Sequence, residues 1–279
     1  MRLGSRFFVF ILLTCAAAAQ QPVASPSAHL ERSQPLETDA KPAQPASEIH
    51  QLPDLPQSPK FSWGPAIRES LMFLGIQHSV LSITDRGYIS ARGGLFNNYW
   101  RDYKLSLKTW ANTGWEDGDP FLDNYIAHPI QGSLTGYIQV QNDPRGRDTR
   151  FGKNSEYWKS RLKATAWSAV YSTQFEIGPL SEMTVQKYGT FGSWPQDGKM
   201  INGTGQVDLV MTPTLGLAWM LGEDVLDEKV IRKVENKTGN RFWINFLRSA
   251  LNPTRAGANV LHGKAPWHRW NRRPLAPAD

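Results

Sequence analysis

Residues 124–142 read NYIAHPIQGSLTGYIQVQN, nineteen positions without an Asp, Glu, Lys or Arg. The length suits a membrane span, which takes about 20 residues. The content does not. Asn124, His128, Gln131, Gln139, Gln141 and Asn142 would each be costly against lipid and must face protein or water. Gly132 and Gly136 lie one helical turn apart and let another helix approach closely. Asn124, His128, Gly132 and Gly136 fall four apart, on one slowly drifting stripe. The segment therefore reads as a helix inside a bundle that is soluble or surface-bound, with a bundle partly sunk in the membrane as the alternative.

Apolar periodicity places further helices around it. They are expected at residues 65–84, 100–110, 120–140, 155–176, 208–235 (broken near Pro213), 240–250 and 253–261. Gly, Asp, Asn and Pro concentrate at residues 88–100, 142–154 and 188–205, which read as loops. No run of alternating residues is long enough for a β-barrel wall. The fold class is mainly α, one helical bundle domain over residues 61–279. All 11 tryptophans lie between Trp63 and Trp270, expected as core and rim packing or as an interfacial belt.

Ahead of the bundle, residues 20–60 are rich in Pro, Ala, Ser and Gln, with no aromatic. Such a segment cannot bury enough apolar surface to offset its ordering entropy, so it reads as a disordered tether. Residues 1–19 carry Arg2 and Arg6, the apolar run FFVFILL at 7–13 and small residues at 16–19. That is a signal peptide, too short to span a bilayer. Cys15, the only cysteine, falls within it. Leu12-Leu13-Thr14-Cys15 has the outline of a lipobox, but Thr is a poor fit before the cysteine. A later cut leaves the mature chain with no thiol for a disulfide, a metal or a nucleophile. The chain is expected to be exported, to the periplasm or the outer membrane.

Formal charge is +6, and +4 once Arg2 and Arg6 are removed. That is too mild a field for nucleic acid. Lys264, Arg269, Arg272 and Arg273 interleave with Trp267 and Trp270, which suits an anionic membrane surface or a solvated tail. The acids Glu223, Asp224, Asp227 and Glu228 read as a solvated helix face.

Two more helices carry polar or small stripes. One holds Arg161, Thr165, Ser168, Ser172 and Glu176; the other holds Asp208, Thr212, Gly216 and Glu223. Buried polar groups need partners, so such stripes tend to face each other. The sharp reading is a shared cleft with His128, Glu176, Asp208 and Glu223 as catalytic candidates, His128 acting as general base near neutral pH. One histidine is a thin ligand set and no zinc motif is present, so no metal or cofactor is assigned. The plain reading makes His128-Pro129, Thr212-Pro213 and Asn252-Pro253 helix starts, and Arg161 a structural ion-pair partner.

Residues 123–132 (DNYIAHPIQG), 208–213 (DLVMTP), Gly222-Glu223-Asp224, and Asn252-Pro-Thr-Arg255 followed by Asn259 together resemble an uncharacterised group of exported bacterial proteins, known only as a domain of unknown function. The likeness covers residues 118–262, with Ala127 where that group often has Gly. It implies a helical envelope protein and carries over no activity. Asn252, Arg255 and Asn259 thereby join Asn124, Arg161 and Ser172 as candidate ligand contacts. Three functions follow as expectations: a non-enzymatic protein docked on a membrane surface or envelope protein, a lipid- or glycan-processing enzyme, and a small-ligand carrier.

Overall fold

The computed structural model describes residues 60–84, 96–111, 114–115, 121–186, 194–196, 199–201 and 205–272. The signal peptide, Cys15, nearly all of the tether and Arg273 lie outside the described residues. The fold is mainly helical. In chain order the elements are α1 (Trp63–Thr84), α2 (Tyr99–Trp110), a π-helical turn (Asp123–Ala127) that runs into α3 (His128–Asn142), α4 (Ser155–Ile177), α5 (Glu182–Gln186), strands β1 (Trp194–Gln196) and β2 (Lys199–Ile201), α6 (Gln206–Leu226), a second π-helical turn (Asp227–Ile231), α7 (Arg232–Lys237), α8 (Arg241–Ala250) and α9 (Pro253–Leu261). The strands pair antiparallel, inside a segment expected to be loop.

Local chemistry sets the boundaries. Asn154 accepts a hydrogen bond from Tyr157 N at 2.7 Å, starting α4, and Asn240 does the same for Trp243 N at 3.3 Å, starting α8; both are ordinary N-caps. At the end of α9, Gly263 takes φ +75°. Lys264 N then donates to Asn259 O at 2.8 Å, the six-to-one bond of a Schellman stop.

The quoted segment is the centre of the molecule. Pro129 through Asn142 are all buried, wrapped by α1, α4, α6 and α9. Its apolar residues Leu134, Tyr137, Ile138 and Val140 join Phe73, Leu74, Phe175 and Met220 in the core. Several of its polar residues find partners inside the protein. Ser133 and Thr254 share a hydrogen bond at 2.7 Å. The amides of Gln141 and Asn142 each donate to Glu69 at 2.8 Å, and His262 Nδ1 faces the other Glu69 oxygen at 2.7 Å. Among the described residues no helix is long and apolar enough to cross a membrane.

Two expectations are corrected. Pro213 does not break its helix; α6 runs through it, and the irregular turn comes later, at Asp227–Ile231. Thr212-Pro213 is therefore not a helix start. Nor is His128 a cap, since its backbone is helical and the π-helical turn enters it directly.

Candidate functional site

His128, Glu176 and Asp208 come from three helices and meet. Asp208 sits in the first turn of α6, where the helix dipole favours a carboxylate. Glu176 sits in the last turn of α4, where the dipole disfavours one. The imidazole lies between them, with Nε2 3.5 Å from Asp208 Oδ1 and Nδ1 3.9 Å from Glu176 Oε1. Thr212 Oγ1 is 3.4 Å from Nδ1. Both carboxylates are buried, while the imidazole keeps 13% exposure. Ser172 Oγ donates to Asp208 O at 3.2 Å, tying the start of α6 to α4. Asn124 is buried in the π-helical turn ahead of His128. Gly114 O and Trp115 O accept from Gln206 N and Val207 N, so that segment lies at the same end of α6.

The other expected partners are elsewhere. Glu223 lies fifteen residues past Asp208 on α6, about 22 Å along a helix rising 1.5 Å per residue. It accepts from Thr254 N (3.0 Å), Thr254 Oγ1 (2.8 Å) and Arg255 N (3.2 Å). It thus caps α9 from another helix, while Asn252, expected to cap it, makes no side-chain cap bond. Arg161 donates to Asp224 at 2.7 Å, and Arg255 also bonds Asp224. Asn252 is buried against Asp227. Asn259 donates to Pro266 O and His268 O, pinning the tail. The stripes do converge, but on two separate centres: His128, Glu176 and Asp208 at one end, Arg161 and Glu223 at the other.

The second centre is an arginine–aspartate network. Asp224 also accepts from Tyr137 and Tyr157 hydroxyls, at 3.0 and 2.7 Å. Asp227 pairs with Arg269 at 3.0 Å and with Arg272. The acidic run is therefore mostly interior, and the basic tail folds onto it instead of staying in solvent. Opposite charges on two apolar-rich segments found each other, which neither segment showed alone.

This network predicts an acid transition. Burial pushes the Asp227 carboxyl up, but Arg255, Arg269 and Arg272 outweigh it and hold the group at about 2, below its usual 3.8. Asp224 is likewise held low by Arg161 and Arg255 against burial. A depressed folded value gives stability that is present above the unfolded value and lost as pH falls through the folded one. For Asp227 alone that is ~2 kcal/mol, at 1.36 kcal/mol per unit. Glu223 is raised by burial, which its hydrogen bonds only partly offset, so its contribution has the opposite sign. Thermal unfolding followed by circular dichroism should give a melting temperature that drops between about pH 4 and pH 2. A melting temperature constant across that window would contradict the network.

A different kind of feature lies on α8. Ile244 and Arg248 face inward, while Phe242, Trp243 and Phe246 are 69%, 53% and 51% exposed. The three rings touch, with centroids 5.4 to 6.3 Å apart. Just before them, Lys229, Lys233 and Lys237 recur every four residues and are exposed. Val225, Leu226 and Val230 are exposed alongside. Trp63, Trp100, Trp115 and Trp158 are also exposed, so the tryptophans are less a core device than expected.

Searches against protein-family profiles, curated proteins and solved structures give no match to this chain.

Proposed function

We propose that the chain is an exported bacterial cell-envelope protein that docks on an anionic membrane surface through α8. The observation that carries this is the exposed Phe242–Trp243–Phe246 face led into by three exposed lysines at four-residue spacing. An amphipathic helix with aromatic residues outward and cations beside them lies in the headgroup region, its rings sunk toward the acyl chains. Each lysine adds about 1 kcal/mol near an anionic leaflet. Arg2, Arg6 and the apolar run at 7–13 support export, and the motif likeness supports a bacterial envelope setting.

Vesicle co-sedimentation of the mature chain tests this. Phosphatidylglycerol-rich vesicles should bind it, neutral phosphatidylcholine vesicles should bind it much less, and added salt should weaken binding. Replacing Phe242, Trp243 and Phe246 with Ser should weaken binding at least about a hundredfold, since burying each ring is worth ~1.5–3 kcal/mol. A wild-type chain that stays in the supernatant with anionic vesicles ends the docking reading.

A second reading is supported by the meeting of His128 with Glu176 and Asp208: an enzyme acting on an envelope lipid or glycan, with His128 as the proton acceptor. A His128→Ala allele should then reproduce the deletion phenotype while the purified variant melts within about 2 °C of wild type. A large loss of melting temperature would assign His128 to structure.

A further inference from the structure

We infer that His128, Glu176 and Asp208 form a binding site for one divalent transition-metal cation of the zinc or manganese class. One donor atom from each lies within 4.8 Å of the other two. The donors around a zinc ion with bonds near 2.0–2.2 Å stand roughly 3.3–3.6 Å apart. The 3.5 Å contact of Nε2 with Asp208 Oδ1 matches that spacing, while Glu176, 3.9 Å from the opposite ring nitrogen Nδ1, completes a donor set within 4.8 Å. One imidazole nitrogen and two carboxylate oxygens suit Zn²⁺ or Mn²⁺. Ca²⁺ wants six to eight oxygens, and soft ions want thiolates.

The surroundings favour a cation. Two buried carboxylates on one imidazole concentrate negative charge where solvent does not screen it. One of them, Glu176, sits at the unfavourable end of its helix dipole. Each carboxylate keeps a second oxygen and the ring a second nitrogen, so other hydrogen bonds to these groups are compatible with an ion. Thr212 Oγ1, 3.4 Å from Nδ1, is placed to orient the ring in the way outer partners of metal-bound histidines do.

The π-helical turn that ends directly at His128 points the same way, a distortion that recurs at functional sites. The partial exposure of the ring leaves a side for the ion to approach. The site does not depend on vesicle binding, and the enzyme reading would be only one use of it.

The test is calorimetry on the tag-free mature chain, stripped with chelator and titrated with ZnCl₂ and, separately, MnCl₂. Metal content after dialysis is read by plasma mass spectrometry. One equivalent per chain is expected for at least one of the two ions. Binding should weaken at least tenfold in His128→Gln, Glu176→Gln and Asp208→Asn, and be unchanged in Glu228→Gln. Circular dichroism of the stripped variants checks their fold. Saturating metal should also raise the wild-type melting temperature, by about 5 °C at a hundredfold excess over Kd, which needs no variant. Fewer than about 0.1 equivalents bound with no melting shift overturns the proposal. So does binding that survives in all three variants, which would place the ion elsewhere.

Discussion

Asp224→Ala should destabilise the fold by about 3–5 kcal/mol, the cost of removing one partner from a buried ion pair. The reason is the company Asp224 keeps. Four donors converge on its two oxygens: the hydroxyls of Tyr137 and Tyr157 and the guanidinium groups of Arg161 and Arg255. Arg161 also lies over the Tyr157 ring, and Arg255 over the Tyr137 ring, at 4.6 and 4.7 Å. Removing the carboxylate leaves two guanidinium groups in a low-dielectric interior with part of their compensation gone, and two hydroxyls without their acceptor. For a domain of this size the melting temperature should fall by about 10 °C or more. Asp224→Asn keeps an acceptor but not the charge, and should lose less. Chemical denaturation of the two variants and wild type measures both differences. An Asp224→Ala protein within about 1 kcal/mol of wild type would mean that the arginines are not held in the interior.

The same residues show what was legible in the sequence. The buried central helix could be read because Gly132 and Gly136 repeat at one turn and no charge interrupts residues 124–142. His128, Glu176 and Asp208 could be brought together because each lies at or next to the end of a polar stripe on a separate helix. The Arg161 and Glu223 assignments failed for a reason of length. A stripe on a helix some 20 residues long spans about 30 Å, so its two ends serve different neighbours. Asp224 and Asp227 looked like solvated acids because their partners, Arg161, Arg255, Arg269 and Arg272, are 31 to 63 residues away. For Arg269 and Arg272 the pairing depends on the turn at Gly263, which returns the tail to α6, and no local pattern announces it. Glu69 was missed for the same reason. Its neighbours Gln141, Asn142 and His262 come from α3 and from the end of α9. The exposed rings of α8 pose the reverse problem: periodicity finds an apolar face but does not say whether protein covers it.

Gly132→Ala is the second large effect expected, and its sign can be separated from helix propensity. A Cβ at Gly132 would stand 1.9 Å from Thr212 O and 2.8 Å from Thr212 C, both backbone atoms of α6. Neither can rotate away, so the helices must part. Gly216 faces the same contact from the other side, its own Cβ meeting the Gly132 backbone at 2.8 to 2.9 Å. Overpacking of this kind costs about 3 kcal/mol or more. The alanine returns about 1 kcal/mol of helix propensity, leaving a net loss of at least about 2 kcal/mol. Two other glycines calibrate the result. Gly136→Ala meets the Met220 Cε at 2.1 Å, the end of a flexible side chain that can move, so it should be close to neutral. Gly222→Ala meets nothing within 4 Å and should gain about 0.5–1 kcal/mol. Thermal unfolding of the three variants therefore should order them 132 below 136 below 222. The contact lies one turn from His128 on α3 and one turn from Asp208 on α6, so separating the helices also pulls those two side chains apart. If Gly132→Ala were as stable as Gly222→Ala, the close backbone approach that sets the His128–Asp208 distance would be absent in solution.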